Sequence, residues 1–285
     1  MPEQRRATLA RRAGSRLKVL SAASGILMAT LAACVHEHGA IKVASTVDGP
    51  WILTADGAIH AYNGSDWEQK EAPGVADDFE ICGSALFILT RPDGQATRTV
   101  RSRDVHGGAW TTYPQIGSVD LLQVACDGYE PVVLSATTDQ AILKHDSQTQ
   151  TWRTIHRGAT DLSVMNGRLF YLYPTTQYGN VWSRDVDGGP YQRWGEQMVA
   201  HRIAGDANGF PWVATSASSN PLYEWDNTNK KWTFGFSSGP VYDMDIQSYV
   251  RMYVLSDPQI GSGGYTLYSH ELYSGGWTKS SLPVY

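Results

Sequence analysis

Acidic or amide side chains recur at one position of a repeated pattern, and such residues can bind sugar hydroxyls, hold a metal ion or open a turn. Each follows an aliphatic residue by four positions and precedes a tryptophan. Asp and Asn side chains cap the backbone N–H groups of tight turns, so we predict turn formation here; a ring of sugar-binding or metal-binding groups is the alternative. The six residues are Asn63, Asp104, Asp146, Asp185, Asp226 and Glu271.

A cationic or imidazole side chain precedes the acidic residue in three copies of the pattern, at Arg103, Arg184 and His270. Turn formation does not require these residue types. They either pair with neighbouring residues or bind an anionic ligand, and both alternatives stay open. The other histidines after residue 38 fall on different positions of the pattern, so we predict no metal site and no cofactor.

Longer segments, found in every second copy, carry tyrosine, amide and arginine side chains. Tyrosine offers a flat apolar ring with a hydroxyl group, which suits stacking on sugars, while amides and arginine can fix sugar hydroxyls. We therefore predict up to three glycan sites; plain solvated loops are the alternative. The candidate ligand-binding residues are Arg98, Tyr173, Gln177, Tyr178, Asn180 and Tyr265.

The elements that must position these residues come from an internal repeat. Its closing tryptophans are separated by 43, 42, 42, 38 and 45 residues, and each copy contains four short strand signals. No sustained helical period occurs after residue 34. Six four-stranded units predict an all-β, six-bladed β-propeller, with first strands nearest the axis. The closing residues are Trp67, Trp110, Trp152, Trp194, Trp232 and Trp277.

The copies alternate in sequence. Repeats two, four and six share a serine two residues before the acidic residue, a Gly-Gly pair, and the longer segments between the second and third strands. Repeats one, three and five lack these features. The alternation predicts duplication of a two-blade unit and approximate three-fold symmetry.

The N-terminus has the features of a targeting segment. A basic region precedes the uncharged run 19–33, which ends in Leu31-Ala32-Ala33-Cys34. This ending resembles the lipobox of bacterial lipoproteins, which implies acylation of Cys34 and a membrane anchor; an ordinary secretory signal is the alternative. Val35 replaces the Asp that acts as a retention signal, which favours the outer membrane. We predict a signal peptide over 1–33, a lipidated tether over 34–39 and the propeller over 40–285.

The charge balance bears on partners. The first 33 residues carry six of the 23 basic groups and one of the 28 acidic groups, so cleavage leaves a net charge of −10. This charge argues against nucleic acid and against a polybasic hold on anionic lipid.

Two further cysteines, Cys82 and Cys126, lie in neighbouring repeats but one position out of register. Adjacent residues of a strand face opposite ways, so we predict two buried free thiols; a disulfide is the alternative.

The blades resemble tectonin repeats, and the closest match is the segment from Gly57 to Trp67. That resemblance implies a lectin-like, non-catalytic protein that binds lipopolysaccharide or another glycan. The second hypothesis is a protein-interaction platform in the bacterial envelope, which an apolar patch on one face would favour. A hydrolase or lyase is third. It would need acid and base groups that converge in the central channel, and no catalytic motif is present.

Overall fold

The computed structural model describes residues 39–90, 97–174, 179–195, 198, 200–215, 222–236, 239–247, 251–256, 265–272, 276–280 and 282. For residues 179, 180 and 247 it describes the backbone alone. All regular secondary structure in these ranges is β-strand. They contain no helix with the length and apolar character needed to cross a membrane.

The described strands form six four-stranded antiparallel sheets, each built from four consecutive strands. Blades one to three contain β1 (Ala40–Thr46), β2 (Gly49–Thr54), β3 (Ile59–Tyr62), β4 (Trp67–Glu71); β5 (Asp78–Cys82), β6 (Ala85–Thr90), β7 (Thr99–Asp104), β8 (Gly107–Thr112); β9 (Leu121–Asp127), β10 (Glu130–Ser135), β11 (Ile142–Asp146), β12 (Thr151–His156). Blades four to six contain β13 (Asp161–Met165), β14 (Arg168–Pro174), β15 (Gly179–Asp185), β16 (Gln192–Arg193); β17 (Ala200–Gly205), β18 (Pro211–Thr215), β19 (Leu222–Asp226), β20 (Lys231–Phe236); β21 (Val241–Gln247), β22 (Arg251–Ser256), β23 (Thr266–Glu271), β24 (Trp277–Ser280).

This architecture confirms the predicted six-bladed β-propeller. The first strands of successive blades contact one another and are therefore the innermost. The fourth strands lie at the outer edge of the sheets; five of them carry the closing tryptophan, and Trp194 directly follows β16. The expected position of the first strands is confirmed.

The second strand of each blade is apolar on both faces because each face meets a different neighbouring blade. In β6, Leu86 and Ile88 pack toward the first blade, whereas Phe87 and Leu89 pack toward the third. Burial of one such side chain contributes about 1.5–3 kcal/mol. Stacking the blades therefore gives each apolar run two buried faces, which an isolated sheet could not provide.

Among the described strands, the sixth and first blades are each built from their own four consecutive strands, and the ring closes between them by contacts of side chains and backbone. Val43 and Ile52 of the first blade pack with Tyr253, Leu255 and Leu267 of the sixth. The innermost strand β1 also contacts β21 and β22. Side-chain packing and hydrogen bonds therefore join these two blades, as they join the others.

The predicted alternation of blades has a structural counterpart. Blades one, three and five each have a register shift between the third and fourth strands at the first residues of the third strand, namely at Ile59, Ile142 and Leu222. Blades two, four and six have no shift at that position. The backbone thus supports a repeating unit of two blades.

Cys82 and Cys126 form a disulfide, so the prediction of free thiols is wrong. The reason lies in how blades meet. Ile81 faces the first blade and Ala125 faces the fourth, whereas the two cysteines both face the contact between blades two and three. Neighbouring blades meet through opposite faces. Two cysteines that bridge them must therefore differ by one position within the repeat, which is the offset from which we had predicted free thiols.

Removal of this disulfide should lower stability. The bridge joins residues 44 positions apart, and the chain-entropy model assigns about 4 kcal/mol to closing a loop of this length. The variant Cys82→Ala with Cys126→Ala should therefore unfold at lower denaturant concentration, by up to this free energy. Reductant should destabilise the wild type and leave the double variant unchanged. Mass spectrometry of the unreduced protein that finds either cysteine as a free thiol would contradict the bridge.

Candidate functional site

The turn residues act mainly in turns, as we predicted. Five of the six accept hydrogen bonds from backbone N–H groups two or three residues later, over 2.8–3.2 Å. The sixth, Glu271, instead forms an ion pair with Arg251. None of the six belongs to a cluster of metal-ligating side chains in the described ranges.

In the three even blades, the residue before the turn residue stacks on an aromatic ring in or next to the outer strand. Arg103 lies 5.0 Å from the Trp110 ring, and the ring of His270 stacks on Trp277 at 4.7 Å. Arg184 lies 4.8 Å from the ring of Tyr191.

The two arginines also bind the preceding blade. Arg103 donates to the Lys70 carbonyl and pairs with Glu71, and Arg184 donates to the Ile155 carbonyl. Pairing with neighbours therefore accounts for both, and the structure gives no reason to assign them an anionic ligand.

The predicted loop residues that the structure describes lie in blades two, four and six. Arg98 joins blades two and three: its Nε lies 2.7 Å from Asp77, and its Nη1 lies 2.8 Å from Asp120 and donates to the Leu121 carbonyl. Tyr173 is 42% exposed and meets His156 edge-on.

Tyr265 packs edge-on against Tyr242 at 4.6 Å. For Asn180 only the backbone pairing with Tyr173 is described. Cys34, Gln177 and Tyr178 lie outside the described residues.

Sequence reasoning missed a ring of polar side chains around the axis. Strand register identifies it, because one residue of each first strand pairs with the same position of the second strand, which is Leu in five blades and Ala in the fifth. Odd blades contribute a basic or amide residue to this axial ring, and even blades contribute Asp. In blade order the axial ring contains Lys42, Asp78, Gln123, Asp161, Arg202 and Asp243.

The three Asp residues of the axial ring tie each even blade to the next odd blade. The N–H of Val124 donates to Asp78 over 2.7 Å. The N–H groups of Ile203 and Val43 donate to Asp161 and Asp243 over 2.7 and 2.8 Å. Hydrogen bonds to charged acceptors contribute about 1.5–3 kcal/mol each, so these three bonds fix the blades around the channel.

Four bulge residues, three of them aliphatic or aromatic, lie next to the axial ring and form what we call the rim. In four blades the first strand has one extra residue just before its axial-ring residue, forming a β-bulge. The extra residues are Ile41, Leu122, His201 and Tyr242. Bulges redirect side chains out of the regular alternation, and Ile41, Leu122 and Tyr242 are 42%, 49% and 38% exposed. His201 is held in place, with its Nε2 2.7 Å from the Val241 carbonyl oxygen.

The axial ring and its rim enclose a cavity of about 240 Å³, which we call the axial mouth. Its lining includes Ile41 and Leu122 from the rim and all six residues of the axial ring. A second cavity, of about 580 Å³, lies at the other end of the first strands and is lined by Glu80, Asp245 and the disulfide.

Burial and charge perturb the axial groups. Burial raises the pKa of Asp161 to about 6 and that of Asp243 to about 7. Burial also raises the pKa of Asp245. For Lys42 and Arg202, burial acts to lower the pKa, but nearby carboxylates outweigh it and raise both values.

Acidic and basic groups thus converge in the central channel, which is the condition that the hydrolase or lyase hypothesis set. The sequence did carry a signal for this arrangement. The first strands of the even repeats read Asp78-Phe79-Glu80, Asp161-Leu162-Ser163 and Asp243-Met244-Asp245, with Asp at one place in all three. Only their apolar alternation entered the prediction of strands.

Comparisons with known proteins show the fold and no family. No protein-family model matches the chain, and no curated protein matches it. Similar solved structures include a nidogen/laminin complex, at 10% identity and TM-score 0.57 over 78% of this chain and 88% of that chain. Another is YCF48 bound to D1 peptide, at 12% identity and TM-score 0.54 over 86% of this chain and 81% of that chain. A third is TolB from Acinetobacter baumannii, at 15% identity and TM-score 0.59 over 83% of this chain and 67% of that chain.

Substitution of an axial carboxylate should change how stability depends on pH. Asp243 binds its proton more tightly in the folded chain (pKa about 7) than in the unfolded chain, where a carboxyl pKa is about 4. Its contribution to stability therefore falls as the pH rises from about 4 through 7. The unfolding free energy of Asp243→Asn relative to wild type should rise between pH 5 and 8 by on the order of 2 kcal/mol, as measured by urea denaturation.

The matched control is Asp226→Asn, which changes an exposed turn carboxylate. Hydrogen bonds from Asn229 and Thr228 lower the pKa of Asp226. This group is therefore ionised in both states above pH 5, and the control difference should stay constant from pH 5 to 8. A flat or falling difference for Asp243→Asn over that range would contradict the raised pKa.

Proposed function

We propose that this chain is a non-catalytic binding propeller whose axial mouth recognises a segment of a partner protein. The observation that carries this proposal is the apolar rim. Ile41 and Leu122 line the axial mouth and are 42% and 49% exposed, and Tyr242, which is 38% exposed, occupies the same bulge position in the sixth blade. Exposed apolar groups gathered at one place, with polar groups between them, favour a protein contact.

The backbone supports this interpretation. In a regular strand, Ile41 and Leu122 would occupy the alternating positions of the sheet, whereas the bulges release them from pairing. Four of the six first strands use the same device at the same place. A construction repeated in this way favours a built surface over scattered surface hydrophobic residues.

Two of the similar structures add support at the level of the fold. By their descriptions, one is a complex of nidogen with laminin and another is YCF48 bound to D1 peptide. A propeller of this general form is therefore compatible with a protein or peptide ligand. Because fold alone does not determine function, the rim carries the proposal and these complexes are secondary.

The bonding of the axial carboxylates favours binding over catalysis. Asp78, Asp161 and Asp243 each accept a backbone N–H from the next blade. Their position is thus accounted for by joining the blades. A hydrolase or lyase would need one of these groups to exchange protons with a substrate while it holds the ring together.

A glycan or lipopolysaccharide ligand is the second candidate function. The observation in its favour is the contact between Tyr242 of the rim and Tyr265, which belongs to a predicted ligand-binding segment. Two adjacent aromatic rings offer flat apolar surfaces and hydroxyl groups that suit a sugar. The binding experiment below separates this candidate from the first.

We also propose that the chain is a lipoprotein of the bacterial envelope, anchored through Cys34 and facing an oxidising compartment. The segment Leu31-Ala32-Ala33-Cys34 supports the anchor. The bridge between Cys82 and Cys126 supports the compartment, because disulfides persist mainly where thiols are not kept reduced.

Peptide binding should depend on the rim. A random dodecapeptide phage library selected on the purified protein should yield binders whose affinity falls about 10-fold for Leu122→Ser, because a central apolar contact is worth 1–2 kcal/mol. Tyr129→Ser is the control, since Tyr129 is 73% exposed at the opposite end of β9 and should leave affinity unchanged. A parallel glycan and lipopolysaccharide array with saturable, sugar-competed signal and no peptide binders would favour the lectin hypothesis instead.

Acylation should require Cys34. In a bacterial host fed labelled palmitate, the wild-type chain should incorporate the label and partition into detergent, because acyl chains give stable membrane anchoring. Cys34→Ser should lose both properties, while Cys82→Ala should keep them. A wild-type product that starts after residue 33 without added mass would indicate an ordinary secretory signal.

A further inference from the structure

The axial ring alternates in charge with one gap. Its even positions are all Asp, and two of its three odd positions, Lys42 and Arg202, are cations. The third odd position is Gln123, which is neutral and lies between Asp78 and Asp161 in blade order. Three-fold symmetry therefore predicts a cation at the one place where this chain supplies none.

The two cations present are already engaged. Lys42 Nζ lies 2.8 Å from Asp78 Oδ1. The guanidinium of Arg202 donates to the carbonyls of Tyr242 and His201, each over 3.0 Å, and lies 3.5 Å from Asp243. Neither side chain is available to fill the gap.

Asp161 has no direct ion pair among the described residues, although Arg202 and Lys42 are near enough to attract its charge. It is 3% exposed, lines the axial mouth and accepts one hydrogen bond, from Ile203 to Oδ2. Its Oδ1 has no hydrogen-bond or ion-pair partner within the ranges that the structure describes. Because Asp161 lines the axial mouth, this oxygen can meet a donor or cation that enters the cavity.

Gln123 is fixed in a way that leaves the gap open. Its Nε2 donates to the Leu162 carbonyl over 2.9 Å, and the Leu162 N–H donates to its Oε1 over 3.3 Å. The amide is thus bound to the next blade. It brings no charge toward Asp78 or Asp161.

We propose that a basic side chain of the partner segment, a lysine ammonium or an arginine guanidinium, supplies the third cation over Gln123, between Asp78 and Asp161. Apolar residues that flank it in the partner rest on the rim. This inference rests on the proposed function, since it specifies the partner segment that the axial mouth accepts. The charge of the channel agrees with it. Three carboxylates of the axial ring, Asp78, Asp161 and Asp243, face two cations, Lys42 and Arg202, in the axial mouth.

The test uses peptides from the dodecapeptide selection together with variants of Gln123. Gln123→Arg places a cation in the gap from within the chain and should weaken the selected peptides about 10-fold or more, because a partly buried like charge opposes the incoming one. Gln123→Met loses the same bonds to Leu162 without adding charge, so its affinity should stay within about 2-fold of wild type. Circular dichroism and thermal melts of both variants establish that each is folded.

The peptides provide the complementary measurement. The selected sequences should share Lys or Arg at one position flanked by apolar residues, and replacing that residue by norleucine should cost about 10-fold in affinity. Asp161→Asn should reproduce that loss. It should leave the norleucine peptide unaffected, because the two changes remove the same charge pair.

The outcomes separate the two proposals. Binders that depend on Leu122 but carry no shared basic residue, or that bind Gln123→Arg as well as Gln123→Met, would overturn the third-cation inference and leave the binding function standing. A selection that yields no binders dependent on Leu122 would overturn the proposed function and this inference with it.

Discussion

The hydrogen bond from a backbone N–H to the Asp of the preceding even blade is the interaction on which the ring depends. It occurs three times, at Asp78, Asp161 and Asp243, each time beside the axis. A disulfide also joins blades two and three. At the other two even-to-odd contacts, the described residues hold neighbouring blades together by apolar packing and hydrogen bonds. A directional bond at the innermost strand fixes the register between blades, so the apolar faces farther out meet in one arrangement.

This constraint also determines where binding can occur. The residue whose N–H donates this bond lies two positions after the bulge residue, as Val43 does after Ile41 and Val124 after Leu122. The bulge is therefore anchored immediately behind the side chain that it exposes. Ile41, Leu122 and His201, the bulge residues of the odd blades, are therefore held next to the bonds that join the blades.

The fold could be predicted from sequence because its information is repeated. The six closing tryptophans recur at a nearly regular spacing even where single repeats differ, and this spacing determines the number of blades.

The candidate site could not be predicted in the same way, because its residues occur where single strands depart from the repeated pattern. Ile41 and Tyr242 are exposed by an extra residue that leaves no clear mark in apolar alternation. The prediction for Cys82 and Cys126 was wrong because it compared the two residues as if their strands presented the same face, whereas the disulfide joins two neighbouring sheets that meet through opposite faces. The tyrosines and arginines chosen for their chemistry include Arg98 and Arg103, which serve in the joints between blades.

The construction of each described blade from its own four consecutive strands has a consequence for chain topology. The seam where the sixth blade meets the first contains the same Asp-to-backbone bond as the seams after the second and fourth blades. Chemically, the ring has no unique place of closure. A circularly permuted chain, cut at another even-to-odd seam and joined across the present one, would have every one of these bonds available. The order of the blades along the chain is then a matter of genetic history, while the order of residues around the axis determines the structure.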